Sequence, residues 1–307
     1  MRKAAAFVPG HISGFFQICD EAGELERKGS RNCGPCINAG VLTEIAVGPD
    51  ERINVEVFIN GRRAPEAHTT LAVARQILQI VQKPSRVVIK HSAQVPIGAG
   101  YGASGAGALG AALALSKAFD LGFTRSKIIE IAHVAEVSCR TGLGDVGAQS
   151  IGGMVIGLEA GAPPHGKWQQ IPLERDMKIV CATLAPLSTR DLLENSDLRD
   201  RSRKFGAIAM ENLLERPTLQ NFIKVSYDFS EELGLMDHEL RELIEAANSA
   251  GAIGASMVML GRVVFAFVKV PALEKVKRAF SELVNRDAIL TADFDFEGAR
   301  LAQNAQI

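Results

Sequence analysis

Pro96-Ile97-Gly98-Ala99-Gly100-Tyr101-Gly102-Ala103-Ser104-Gly105-Ala106-Gly107 is the stretch on which the reading of this chain turns. It stands between a β-rich segment, Arg86 to Lys90, and an Ala-rich run, Ala103 to Phe119, whose composition predicts a helix. Glycines there let the backbone approach a ligand closely, and the N–H groups of the first helical turn face outward as donors to phosphate. Tight packing of a Gly/Ala-rich helix accounts for Gly105, Gly107 and Gly110, but the alternation of Gly98, Gly100 and Gly102 comes before the helix and needs another reason. Phosphate binding supplies it. The P-loop pattern G-x-x-x-x-G-K-S/T fails, because no lysine lies between Lys90 and Lys117. The dinucleotide fingerprint fits formally at Gly100, Gly102 and Gly105 and again at Gly142, Gly144 and Gly147, yet Asp120 follows the helix instead of ending a second strand. Phosphate charge must therefore be met by backbone donors and a metal.

Around this loop the first third of the chain reads as strands at Leu42 to Val47, Arg52 to Ile59 and Arg86 to Lys90, with one helix over His68 to Gln82. After the loop come helices at Ala103 to Phe119 and Ser126 to Arg140 and a strand at Met154 to Leu158. Ala160 to Gln170, with Gly161, Pro163, Pro164 and Gly166, reads as a linker, which places domains at 1–165 and 166–307. The second domain alternates a strand at Lys178 to Leu184, helices within Asp197 to Leu214, Leu219 to Leu233 and His238 to Ser249, a strand at Arg262 to Val268, a helix from Pro271 to Val284 and a strand near Ile289. The class is α+β. With 307 residues, 47% hydrophobic and 22% charged, the chain is long enough for two cored domains and is neither disordered nor a coiled coil. A net charge of -1 gives no general attraction to nucleic acid or an anionic membrane. Val95 to Ser116 carries no charge, but its glycines leave it short of the apolar side chains a membrane span needs. Five scattered cysteines and no signal peptide point to the cytoplasm.

Three segments, Phe7-Val-Pro-Gly-His-Ile, the glycine loop, and Gly251-Ala-Ile-Gly-Ala-Ser, resemble in order and spacing the three motifs of the GHMP kinases. Lys28-Gly-Ser-Arg-Asn-Cys-Gly, Ala132-His-Val-Ala-Glu and Thr141-Gly-Leu-Gly-Asp-Val are most similar to the branch of that superfamily that phosphorylates pantoate on the way to coenzyme A. The resemblance implies a two-domain α+β GHMP kinase fold, with an N-terminal domain like domain 2 of ribosomal protein S5 and a ferredoxin-like C-terminal domain. It implies ATP and Mg2+ as cofactors, a homodimer, and pantoate as the small-molecule partner. Pro96, Gly98, Gly100, Gly102, Ala103, Ser104 and Gly105 would then hold the nucleotide, Ser104 and Glu136 the metal, and Ser30, His133 and Thr189 the acceptor. Asp145 would orient or deprotonate the acceptor hydroxyl. Each has a plainer reading: Ser104 as a helix N-cap, Glu136 as a solvated surface residue, Asp145 as a turn former.

Two departures stand out. Mevalonate kinase-like members carry lysine in the first motif where this chain has His11, and a titrating imidazole cannot supply the same constant charge. The additional basic contact of the pantoate branch has no counterpart, since no Lys or Arg lies between Arg140 and Lys167. The other acceptors within the fold are shikimate, homoserine and mevalonate. Cys33-Gly-Pro-Cys36 matches the redox tetrapeptide, so a non-catalytic nucleotide-binding or dithiol regulator is the reading from another class, although a structural turn with two thiols fits this context better.

Overall fold

The computed structural model describes residues 1–186 and 195–302. Its spine is β3, a 21-residue strand over Gly29–Pro49. Along the second half of β3 run β1 (Arg2–His11) and β6 (Ser85–Ala93), with Arg2 opposite Val47 and Ser85 opposite Pro49. Along its first half run β2 (Phe15–Cys19) and β7 (Met154–Glu159), so that Phe15 and Ile156 both face Cys33. β4 (Asn54–Ile59) joins β6 in parallel, β5 (Arg62–Arg63) pairs with β4, β8 (Lys167–Ile171) with β7, and β13 (Arg300–Leu301) with β1. A second, antiparallel sheet takes the order β10 (Gly254–Met257), β11 (Gly261–Lys269), β9 (Met177–Pro186), β12 (Ile289–Ala292).

Helices α1 (His68–Val81), α2 (Ala103–Phe119) and α3 (Arg125–Cys139) pack together in the first half, and α2 lies directly on β1 and β3. A helix made largely of Ala and Gly can settle close to a sheet, and twelve of its residues are buried. The short α4 (Asp145–Ile151) sits against α2 and β1. In the second half α5 (Ser196–Glu215) packs on α6 (Leu219–Leu233), and α6, α7 (His238–Ser249) and α8 (Leu273–Leu283) pack against the four-stranded sheet. Their starts are written in the sequence, because Asn195, Thr218 and Asp237 each accept a hydrogen bond from the backbone N–H three residues on. α6 buries Leu219, Phe222, Val225, Phe229 and Leu233, the spacing of one helical face. α5 packs on β2 of the first sheet, so one apolar core runs from Phe15 and Phe16 through α6 to Phe265 and Phe267.

Several expectations shift. The linker expected at 160–170 gives way to β8, whose pairing with β7 extends the first sheet past the 165/166 boundary, and β13 returns to that sheet from the far end of the chain. The Cys33-Gly-Pro-Cys36 turn is strand: Cys33 pairs with Phe15 and Ile156, Pro35 with Met154, and Cys36 with His11. Pairing on both sides overrides the local turn propensity of Gly-Pro. Both thiols are free and fully buried, and burial pushes each well above the ordinary thiol range, which opposes dithiol chemistry. No helix among the described residues is long and apolar enough to cross a membrane.

Under α2, the buried His91 ring bonds Thr43 Oγ1 at 2.9 Å through Nδ1 and Thr70 Oγ1 at 3.0 Å through Nε2. Burial lowers its pKa from 6.5 to about 4. The unfolded chain therefore takes up this proton first, so the contribution of neutral His91 is complete above pH 6.5 and is lost as the pH falls toward 4, by about 3 kcal/mol in all. Urea unfolding between pH 7 and pH 4 should show this loss, and His91→Gln should remove that part of the slope. An unchanged pH dependence in the variant would rule the assignment out.

Candidate active site

The glycine loop gets its shape from its surroundings. Gly98, Gly100 and Gly102 all adopt positive φ, at 77°, 85° and 66°. That is the alternation noted in the sequence. A Cβ on Gly100 would stand 2.7 Å from the Met259 carbonyl oxygen, and one on Gly102 would stand 2.8 Å from Gln149 Nε2. Tyr101 between them is buried, and its hydroxyl meets Thr183 Oγ1 of β9 at 3.1 Å. The Tyr101 carbonyl accepts from His11 N at 3.0 Å and the Gly102 carbonyl from Gln149 Nε2 at 2.8 Å. With its carbonyls engaged from below, the loop presents α2's first-turn N–H groups upward, and no side chain caps that end.

The loop opens onto a cleft of about 430 Å³. Gly98, Gly100, Gly102, Ala103 and Ser104 line one wall, the start of α1 another, and Thr141 to Asp145 a third. Ser104 is not the N-cap, a place taken by Gly102; its hydroxyl lies 3.5 Å from Thr69 Oγ1. Thr69 Oγ1 is 2.9 Å from Thr141 Oγ1, which donates to Glu136 Oε1 at 3.4 Å. A row of hydroxyls thus connects the loop to Glu136. Glu136 is 1% exposed, far from the solvated surface residue its helix alone suggests. Burial first, then the Asp145 charge, pushes its carboxyl well above the ordinary range, and its Oε2 has no hydrogen-bond partner among the described residues. A buried acid beside a second acid is at ease as an anion only when a cation joins it. Among the described residues no three His, Cys, Asp or Glu side chains converge to hold a metal by themselves. The donor set of one carboxylate, one hydroxyl and added phosphate oxygens suits a hard divalent cation.

Asp145 begins α4 and is not in a turn; its carboxylate faces the cleft, with its Oδ1 2.8 Å from His11 Nδ1. Ser30 lines the same cleft, and its backbone N–H donates to the Leu143 carbonyl at 2.9 Å, so β3 and the segment before Asp145 are tied together. His133 points elsewhere. It is buried on α3, its Nε2–H donates to the Lys28 carbonyl at 2.7 Å, burial lowers its pKa, and it is not among the cleft-lining residues. It props up the segment that carries Ser30. Pro96 and Gly105 are likewise outside the cleft lining, and Gly105 instead backs onto Glu136, Asp145 and Gln149. Thr189 lies outside the described residues. Sequence reading missed Asn32, Thr69 and Gln149, because nothing in their local patterns distinguishes them; only the pairing of β3 and the placing of α1 bring Asn32 and Thr69 to the cleft, and only α4 brings the buried Gln149 against the glycine loop.

A phosphate cradle, an acid across the cleft from it, and a buried acid suited to a cation, which is not itself in the cleft lining but stands directly behind Gly142 of the wall, are the parts of a phosphoryl-transfer site. Residues 68–153 match the GHMP kinases N terminal domain and residues 209–286 the GHMP kinases C terminal. The chain belongs to the GHMP kinases. A pantoate kinase from Thermococcus kodakarensis is 34% identical over 284 residues, covering 91% of this chain and 92% of the relative. One from Methanocaldococcus jannaschii is 31% identical over 271 residues, covering 87% and 94%. A solved structure described as a phosphotransferase related to the CoA biosynthesis pathway superposes with a TM-score of 0.88 at 29% identity, covering 98% of both chains. The homoserine kinase of Cytophaga hutchinsonii, at 14% identity and a TM-score of 0.72, shares the fold.

As a GHMP kinase the chain uses ATP, and the loop is where binding should be read. Saturating ATP at about 100 times its dissociation constant should stabilise the unmodified protein by ~2.7 kcal/mol. Gly102→Val, which drives a branched side chain into Gln149 and Asp145, should lose this thermal shift while still unfolding cooperatively. A full ATP shift in that variant would remove the loop from nucleotide binding.

Proposed function

We propose that this GHMP kinase transfers the γ-phosphoryl group of ATP to the hydroxyl of pantoate, giving 4-phosphopantoate for coenzyme A biosynthesis. The observation that carries the reading is Asp145, held across one cleft from the phosphate loop in a chain similar to pantoate kinases over nearly its whole length. The loop N–H groups and the α2 N-terminus receive the triphosphate. Ser104 and Glu136 would hold Mg2+, which when bound neutralises phosphate charge and satisfies the orphaned Glu136 oxygen. Asp145 orients the acceptor hydroxyl in line with the γ-phosphorus and takes its proton as the new P–O bond forms and the bond to the ADP oxygen breaks. Ser30 and Asn32, on the cleft wall beside Leu143 and Gly144, contribute polar contacts to the acceptor. Free, scattered thiols support a reducing, cytoplasmic setting.

Asp145→Asn keeps size and polarity but cannot accept the proton, so kcat should fall by roughly 10²- to 10⁴-fold with nucleotide affinity retained. Coupled ADP release at saturating ATP measures it, and near-normal turnover would take Asp145 out of the mechanism. The same assay with pantoate, shikimate, homoserine and mevalonate decides the acceptor: a response to another member of the panel but not to pantoate would keep the kinase and discard pantoate. His133→Ala, by freeing the segment at Lys28 to Ser30, should raise the KM for pantoate severalfold more than that for ATP. Equal effects on both would mean that His133 serves the fold alone.

A further inference from the structure

Where the first motif ends, the pairing of β1 with β3 shifts register between Pro9 and Gly10, leaving Asn38 and Ala39 of β3 over, and His11 follows one residue on. Its imidazole reaches the first residue of α4. His11 is 0% exposed. Its backbone N–H donates to the Tyr101 carbonyl of the glycine loop at 3.0 Å, and its ring Nδ1 lies 2.8 Å from Asp145 Oδ1. A carboxylate only accepts, so Nδ1 carries the proton of this bond. Nε2 has no partner among the described residues. The ring's one polar engagement is therefore Asp145, and its main chain holds the loop that receives the triphosphate.

We infer that His11 is a positioning residue that registers the Asp145 carboxylate against the glycine loop, clamping Oδ1 so that Oδ2 is the oxygen offered to the acceptor hydroxyl. This rests on the reading of Asp145 as the proton acceptor. A carboxylate has two equivalent oxygens and a free side-chain torsion; a fixed donor on one oxygen selects both the rotamer and the oxygen that reacts. The same residue grips both partners of the transfer, the loop through its main chain and the acid through its ring. His11 touches neither substrate, and its effect is confined to the chemical step.

The test is turnover of the full-length enzyme and its variants at saturating ATP with the acceptor the unmodified enzyme uses best, pantoate in our reading. His11→Ala should lower kcat about 10- to 100-fold with the KM for ATP changed less than twofold. His11→Asn, whose amide nitrogen can stand near the place of Nδ1, should recover most of the rate, whereas His11→Gln, whose amide reaches nearer the place of Nε2, should not. In an Asp145→Asn background, His11→Ala should cost nothing further. Normal kcat in His11→Ala, the same loss in both backgrounds, or equal rates for the Asn and Gln variants would overturn the inference. If His11→Ala does not fold, the Asn and Gln pair decides alone. Asp145→Asn with near-normal turnover would overturn the Asp145 reading and this inference with it; a crippled Asp145→Asn beside a fully active His11→Ala would overturn the inference alone.

Discussion

A loop that is to give its N–H groups to phosphate must have its carbonyls held by something else. Here that constraint is met by two bonds, from His11 N to the Tyr101 oxygen and from Gln149 Nε2 to the Gly102 oxygen. The first donor stands at the end of β1 and the second on α4, so the sheet edge and the helix that begins with Asp145 are both fixed by the loop they support. The buried Tyr101 adds a third anchor in the second sheet, where Thr183 of β9 meets its hydroxyl. The shape of the loop, the placing of α4 and one of the ties between the two sheets meet in this short segment.

The second constraint is electrostatic. Glu136 and Asp145 share a small region in which Glu136 is fully buried and the Asp145 charge disfavours that of Glu136. Sites that gather like charges in this way are poised for a cation, and the energy that the empty arrangement gives up is regained when one binds. The hydroxyls of Thr69, Thr141 and Ser104 supply a graded polar path between loop and acid where apolar residues would pack as well. Their placement makes sense for a site tuned to phosphates and their counterion, and none at all for a core tuned to stability.

Much of this was legible in the sequence, and the rest was illegible for definable reasons. The Gly98, Gly100, Gly102 alternation could be read because each position requires a positive φ, a local property. The span of α2 at Ala103–Phe119 followed from its Ala-rich composition, and α6 at Leu219–Leu233 was read at the same bounds. The tetrapeptide at Cys33 to Cys36 misled because Gly-Pro has turn propensity in isolation, while its place in β3 depends on partners at residues 11, 15 and 156. Lys167–Ile171 went unread as strand for the same reason, since its pairing with β7 is not encoded in its own polar pattern. Glu136 looked like a surface residue until α4 closed over it. His11 could be flagged as a departure from a motif, but its bond to a residue 134 positions away belongs to tertiary structure alone.

The boundary near residue 165 shows why linker composition is a poor guide to what a site needs. After the second sheet is complete the chain does not end there but crosses back: Asp295 N donates to the Cys36 carbonyl, Gly153 N to the Asp295 carbonyl, and Ala299 N to the Gln149 carbonyl. The buried Asp295 carboxylate holds this crossing by accepting from Glu297 N, Gly298 N and Arg300 Nη1. The crossing grips α4 at the end away from Asp145 and grips β3 at Cys36, the residue that pairs with His11. A seven-residue helix is too short to hold its own direction by helical bonds alone. Its first residue is placed to within a hydrogen bond with the help of a far end tied to a segment that has already passed through the other sheet. The acid at the centre of the cleft is thus positioned by residues from both ends of the chain, and a cut at the compositional linker would separate it from half of what aims it.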